Sequence, residues 1–139
     1  MSPGGSGPGG SGPGNPDASP THPALLSARV RVVADLTAEG LDVAPLVDVV
    51  DGCVRERRWW LDAWPGGADH VAGQVAQDVQ EALLDDRGVR WPACPARHDD
   101  GTQPHVLHVL PDLGPDPHWV CEESGAALAP LGGLGTRLP

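Results

Sequence analysis

The sequence contains no Lys, Ile, Phe or Tyr. Arg therefore carries every fixed positive side-chain charge, and an apolar core has to be built from Val, Leu, Ala and the five Trp. Because this bias avoids residues with AT-rich codons, it is typical of a high-GC genome and carries no information about function.

Positive charge is scarce: nine basic residues stand against nineteen acidic ones, which gives a formal net charge of -10. Binding to a phosphate backbone requires a basic stripe, because counterion release supplies most of the affinity. The one basic cluster, Arg55, Arg57 and Arg58, is interrupted by Glu56. We therefore expect no nucleic-acid partner.

Long apolar runs are also missing, and no stretch approaches the roughly 20 apolar residues that span a bilayer. The first residues have neither the charged region nor the apolar region of a signal peptide. Three cysteines, an odd number, fit a compartment that keeps thiols reduced better than a disulfide framework. We expect a cytoplasmic protein with no membrane association.

Gly, Pro and Ser make up sixteen of the first twenty residues, which include two copies of PGGSG. Such a segment has nothing apolar to bury and cannot offset the entropy lost on ordering. Residues 1–20 are therefore predicted to form a disordered tail. The remaining length predicts a single domain over residues 21–139.

Three segments have apolar residues at helical spacing and are bounded by Pro and Gly. They are residues 23–39, 45–64 and 69–86. The first could be capped by Ser19 or Thr21, but its alternation at residues 29–32 also fits a strand. In the second, Cys53 is expected to be a small buried hydrophobe, and Arg57 to keep its head in water.

After Gly88 the chain becomes rich in Pro and His and offers only short β-like pieces. These are residues 89–91, 105–110, 118–121 and 127–131. The predicted fold class is α+β, with a two- or three-helix part over residues 21–88 packed on a small zinc-ribbon-like antiparallel β unit over residues 89–139. A unit with so few apolar residues usually depends on a helical partner, a metal or both.

Within this β unit, Cys94 and His98 have the spacing of a zinc ligand pair, and Cys121 begins a second, incomplete pair. Ser124 stands where the fourth ligand is expected, yet serine rarely binds zinc. His118 could substitute, because it lies three residues before Cys121.

His105 and His108 are the other candidates for the fourth ligand, but on a regular strand they face opposite sides, so only one could reach the site. The predicted metal ligands are Cys94, His98, His118 and Cys121, with zinc as a structural cofactor. We expect the two sulfur atoms to lie about 4 Å apart, as two thiolates on one zinc do. The alternative is a β unit that binds no metal.

The sequence WPACP at 91–95, a following histidine-bearing loop, HWVC at 118–121 and APLG at 129–132 resembles the C-terminal part of small actinobacterial proteins without an assigned activity. The sequences WW at 59–60 and AGQVAQDVQ at 72–80 are similar to their front helices. This resemblance implies a helical N-terminal part and a zinc-ribbon-like C-terminal unit, and it implies no activity.

No motif marks a catalytic nucleophile, which needs a thiolate or hydroxyl beside a base. Cys121 has His118 nearby, but Glu122 and Glu123 are expected to raise the pKa of its thiol. We therefore expect a protein that is not an enzyme.

A small acidic protein of this kind is interpreted as a non-enzymatic adapter that binds a protein partner. Trp59, if exposed beside Arg55 and Arg58, would be an anchor for that partner, with a place in the core as the alternative. The alternative function is a metal- or thiol-linked regulator or enzyme that uses Cys94, His98 and Cys121.

Overall fold

The computed structural model describes residues 22–94, 105–111 and 113–136. The predicted tail, residues 1–20, lies outside the described residues. The architecture is α+β, as predicted: three helices precede a small three-stranded antiparallel sheet. None of the helices in these ranges is long and apolar enough to cross a membrane.

The helices are α1 (Pro23–Thr37), α2 (Ala44–Ala63) and α3 (Val71–Arg87), and each contacts the other two. A short 3-10 helix, Pro65–Asp69, connects α2 to α3. Gly88 ends α3 with a φ of 65°, a left-handed conformation that glycine adopts without a steric penalty.

The first helix resolves the ambiguity that its sequence leaves open. Residues 29–32 are helical, because Leu25, Ala28, Val32 and Leu36 together form one fully buried face. His22 rather than Ser19 or Thr21 caps the helix: its Nδ1 accepts the Ala24 N–H at 3.0 Å.

The sheet contains β1 (His108–Leu110), β2 (His118–Val120) and β3 (Ala127–Pro130), hydrogen-bonded in that order. His108 pairs with Val120, and Trp119 pairs with Ala129. An isolated antiparallel bridge joins Ala93 to Val106, which places the chain that follows α3 beside the segment that leads into β1. This pairing falls after the β piece expected at residues 89–91, which forms no strand.

Two tryptophans form the contact between the β unit and the helices. Trp91 and Trp119 are 1% and 0% exposed, and their rings meet edge to face with centroids 5.2 Å apart. The indole N–H of Trp119 donates to the Asp35 carboxylate of α1 at 2.7 Å, and that of Trp91 donates to the Asp35 carbonyl at 3.3 Å. The polar edges of both rings are therefore satisfied inside the core.

The Asp35 carboxylate is fully buried and accepts two further hydrogen bonds. The backbone N–H of Gly132 donates to its Oδ2 at 2.6 Å, and that of Leu134 donates to its Oδ1 at 3.0 Å. Burial raises the pKa of Asp35, and the three N–H donors oppose that rise. One α1 side chain thus fixes the position of β2 and of the chain after β3.

Gln80 makes a second polar contact between layers, from α3. Its Nε2 donates to the carbonyls of Trp91 and Leu107 at 3.1 and 2.7 Å. Glu39, just after α1, adds a third contact, since its Oε2 accepts the Ala93 N–H at 3.0 Å.

We predict that Asp35→Asn lowers the free energy of unfolding by about 1–3 kcal/mol, because an amide NH2 then faces an N–H donor in the core. Asp35→Ala should cost more than about 3 kcal/mol, since three buried donors lose their acceptor. Urea unfolding followed by Trp fluorescence measures both changes. The exposed Asp62→Asn, on α2, is the matched control and should stay within about 0.5 kcal/mol of the parent. Equal effects at residues 35 and 62 would contradict the role given to Asp35.

Candidate metal centre

Cys94 is positioned by the short antiparallel pairing that surrounds the Ala93–Val106 bridge. Its backbone N–H donates to the His105 carbonyl at 2.8 Å, and the Leu107 N–H donates to the Pro92 carbonyl at 2.8 Å. Cys94 and His105 therefore lie side by side, although ten residues separate them along the chain.

Cys121 is positioned by the tight turn that joins β2 to β3. Its N–H donates to the Ala126 carbonyl at 3.0 Å, and its carbonyl accepts the Gly125 N–H at 2.7 Å. Gly125 has a φ of 72°, which most other residues adopt only with strain. Because Val120 pairs with His108, this turn lies beside the chain that leads into β1.

Three potential ligands converge at this end of the sheet: Cys94, His105 and Cys121. Their ligand atoms all lie within 4.8 Å of one another, and Cys121 Sγ is 3.5 Å from His105 Nε2. Cys94 is 7% exposed and Cys121 is 1% exposed. Two thiolates and an imidazole are a ligand set that zinc prefers, and together they can fill three of its four tetrahedral positions.

The structure brings together two of the four ligands expected from the sequence, Cys94 and Cys121, with their sulfur atoms within 4.8 Å of each other. His98 lies outside the described residues. His118 is on β2, where its Nδ1–H donates to the Asp116 carbonyl at 2.7 Å, and it is not a member of the group.

His105, rather than the expected His118, is the histidine that joins the two cysteines. The two candidate histidines of the 105–108 segment do separate as their odd spacing predicts, because His108 Nε2 lies 3.2 Å from a Glu122 carboxylate oxygen instead. The choice between the histidines depends on the strand register. That register is set by the antiparallel pairing of residues 92–94 with residues 105–107, and neither segment has a strong strand pattern in the sequence.

The thiol of Cys121 has a pKa below the usual range of a cysteine. Hydrogen bonds with the Ser124 side chain and with the Ser124 backbone lower its pKa to about 6, and His105 and Cys94 add smaller contributions in the same direction. The expectation that Glu122 and Glu123 raise this pKa is wrong, because both side chains are exposed and the local hydrogen bonds dominate. These hydrogen bonds thus favour the thiolate form of Cys121, which is the form that binds metals.

Cys53 has the opposite character. It is 8% exposed on the inner face of α2, and burial, followed by the nearby charge of Asp78, raises the pKa of its thiol to about 11. The prediction that it serves as a small buried hydrophobe is confirmed.

A concave region, separate from the candidate metal centre, lies between α2 and α3 and has a volume of about 540 Å³. Its lining carries five carboxylates, those of Glu56, Asp78, Glu81, Asp85 and Asp86. Its one basic lining residue, Arg57, pairs with both Asp78 oxygens at 2.7 and 3.0 Å and lies 5.3 Å from the Trp60 ring centroid. We call this region the acidic groove.

Trp59 lines the acidic groove and is 67% exposed. Trp60 also lines the groove, but it is half-buried, and its ring meets Trp64 edge to face at 5.1 Å. Of the two neighbouring tryptophans, Trp59 is therefore the one that is available at the surface.

We predict that metal-free protein shows a thiolate titration with a midpoint near pH 6, in which the ultraviolet absorbance of the thiolate rises as pH increases. Because the hydrogen bonds favour the charged form, the step should lie well below the usual range of a cysteine pKa. Cys121→Ser should remove it, and Cys53→Ser, which removes a thiol of pKa about 11, should leave it unchanged. A titration that stays in the ordinary cysteine range would contradict this assignment.

Comparison with known proteins places the chain in a family without identifying an activity. No curated protein matches the chain. No solved structure matches it either. A family model described as "Domain of unknown function (DUF8819)" matches residues 21–131, which include all three helices and both cysteines of the candidate metal centre. The chain belongs to the DUF8819 family.

Proposed function

We propose that this protein is a non-enzymatic adapter of the cytoplasm, built as a zinc-stabilised module that binds a protein partner. The observation that carries the proposal is the convergence of Cys94, His105 and Cys121 on one point. Zinc bound there would join the paired segments 92–94 and 105–107 to the turn after β2 and would complete a zinc-ribbon-like unit.

A structural role for the metal is supported by the shortness of the sheet. Its strands have only three or four residues each, and the largest buried side chains of the β unit are Trp91 and Trp119. The free energy of zinc binding adds directly to folding when the ligands are far apart in the unfolded chain, as these are. His98, four residues after Cys94, is the proposed fourth ligand, and His118 is the alternative.

We predict one zinc per chain in protein purified without a histidine tag, measured by elemental analysis. A strong chelator at pH 7 should lower the melting temperature, because metal binding and folding are coupled. Cys94→Ser and His105→Ala should lower both zinc content and melting temperature, whereas Cys53→Ser should retain the zinc. Assays of His98→Ala and His118→Ala identify the fourth ligand.

Two outcomes would contradict the zinc proposal. The first is protein without stoichiometric metal that also takes up none from added zinc. The second is zinc that remains bound after both Cys94→Ser and His105→Ala, which would locate the metal elsewhere.

The acidic groove and Trp59 are the proposed contact surface for the partner. Tryptophan is enriched among the residues that contribute most binding energy at interfaces, and Trp59 is two-thirds exposed beside five carboxylates. The basic residue within the groove is already paired with Asp78, so the unneutralised charge is negative. This surface favours a protein partner with basic residues and disfavours nucleic acid.

We predict that Trp59→Ala weakens partner binding by about 30-fold or more, the effect of losing about 2 kcal/mol at an interface hot spot. The partner is first isolated by crosslinking and mass spectrometry from host cells, and affinity is then measured by titration calorimetry. Val30→Ala is the matched control, since Val30 is a 65%-exposed apolar residue on α1. Equal affinity for the parent and Trp59→Ala would exclude this surface.

A metal- or thiol-linked regulator or enzyme that uses Cys94, His98 and Cys121 is the second candidate function. The lowered pKa of Cys121 favours it, because a thiolate at neutral pH can react as well as bind metal. An exchangeable water on the bound metal would support this second function, and a fully protein-ligated metal would support the first.

A further inference from the structure

We propose that Cys94 and Cys121 are a redox pair that forms a reversible intramolecular disulfide on reaction with hydrogen peroxide. Both are reduced thiols in this structure, and their sulfur atoms lie within 4.8 Å of each other. A disulfide requires about 2 Å between the sulfurs, so the closure needed is under about 3 Å. Rotation about the two Cα–Cβ bonds supplies movement on that scale.

The neighbouring structure favours this pair over any other pair of thiols in the chain. Cys94 and Cys121 come from different strand pairs but face one shared space with His105. Cys53, the third cysteine, is on α2, lines the acidic groove and is not a member of this group; Asp78 and Glu56 are among its charged neighbours. Geometry therefore specifies which of the three possible bridges forms.

The chemistry balances with peroxide as the oxidant. One thiolate sulfur attacks a peroxide oxygen and breaks the O–O bond, which yields a sulfenic acid and, after protonation of the leaving hydroxide, one water molecule. The second thiol then displaces the sulfenic hydroxyl, which leaves as a second water molecule, and the S–S bond forms. The two sulfurs together lose two electrons, and the two peroxide oxygens gain them.

Bridge formation and metal binding exclude each other, because the disulfide removes two of the three ligands that converge at the site. His105 and the proposed fourth ligand would leave only two of the four protein ligands of a structural zinc site. This consequence rests on the proposed zinc site, whereas the bridge itself requires only the two thiols. Oxidation would thus exchange a metal crosslink for a covalent one between the same two segments.

The test treats the full-length reduced protein with hydrogen peroxide, once after zinc loading and once after removal of metal by a chelator. We expect the intact mass to fall by two hydrogen atoms in both samples, and peptide mapping to link the Cys94 peptide to the Cys121 peptide. The zinc-loaded sample should release its metal to a chromogenic indicator as the bridge forms, and a thiol reductant should restore the starting mass. Cys53→Ser should behave as the parent does, and Cys94→Ser and Cys121→Ser should form no internal bridge.

A bridge that includes Cys53, a bridge between two chains, or addition of oxygen to the individual sulfurs without a bridge would overturn the proposal. Peptide mapping of the parent protein keeps the test decisive even if a variant fails to fold. The two proposals fail separately. Protein that forms the bridge but binds no zinc contradicts the zinc site alone, and protein that binds zinc but forms no bridge contradicts the redox pair alone.

Discussion

The buried carboxylate of Asp35 is the central polar contact between the two layers of this protein. The side chain of Asp35 receives hydrogen bonds from the Trp119 indole and from the backbone of Gly132 and Leu134, all of which belong to the β unit. A charge in the interior is costly unless its hydrogen-bonding capacity is filled, and here both oxygens are engaged. The arrangement favours this position of the sheet on α1, because loss of these donors would leave the buried carboxylate without hydrogen bonds.

The turn that follows the same helix contacts the segment that carries the candidate metal centre. Glu39 accepts the N–H of Ala93, the residue immediately before Cys94. Burial raises the pKa of Glu39, and the charge of Asp35 adds to that rise. The turn after α1 therefore contacts the Cys94 segment, and the position of this metal ligand depends on the helical part as well as on the sheet.

The helical half of the fold could be predicted from the sequence because its determinants are local. Apolar spacing, Pro near the start of α1 and of α2, and Gly88 at the end of α3 are sufficient to define the helices. The strand-like alternation at residues 29–32 did not decide the structure of α1, because the buried face of the helix spans a longer stretch than the alternation. Asp35 could not be identified in advance, since its role depends on partners about 85 to 100 residues away.

Only part of the candidate metal centre could be predicted from the sequence. The two cysteines are rare residues placed near turns, and their proximity followed from the expected topology. The choice between His105 and His118 depended on strand register, which is fixed by the antiparallel pairing and by packing against the helices rather than by sequence spacing. Likewise, the pKa of Cys121 depends on a turn that brings Ser124 back to the sulfur, an effect that a count of neighbouring acidic residues cannot reveal.

The amide of Gln80 has a mechanical consequence for the molecule as a whole. Its Nε2 donates to the carbonyls of Trp91 and Leu107. Trp91 directly precedes the paired segment that carries Cys94, and Leu107 belongs to the paired segment that carries His105. A slide of α3 along its axis by a single turn, about 5.4 Å, would break both bonds at once. The adjacent residue, Glu81, lines the acidic groove. The acidic groove and the segments that carry the metal ligands therefore share α3, and the two Gln80 hydrogen bonds favour a single axial position of that helix.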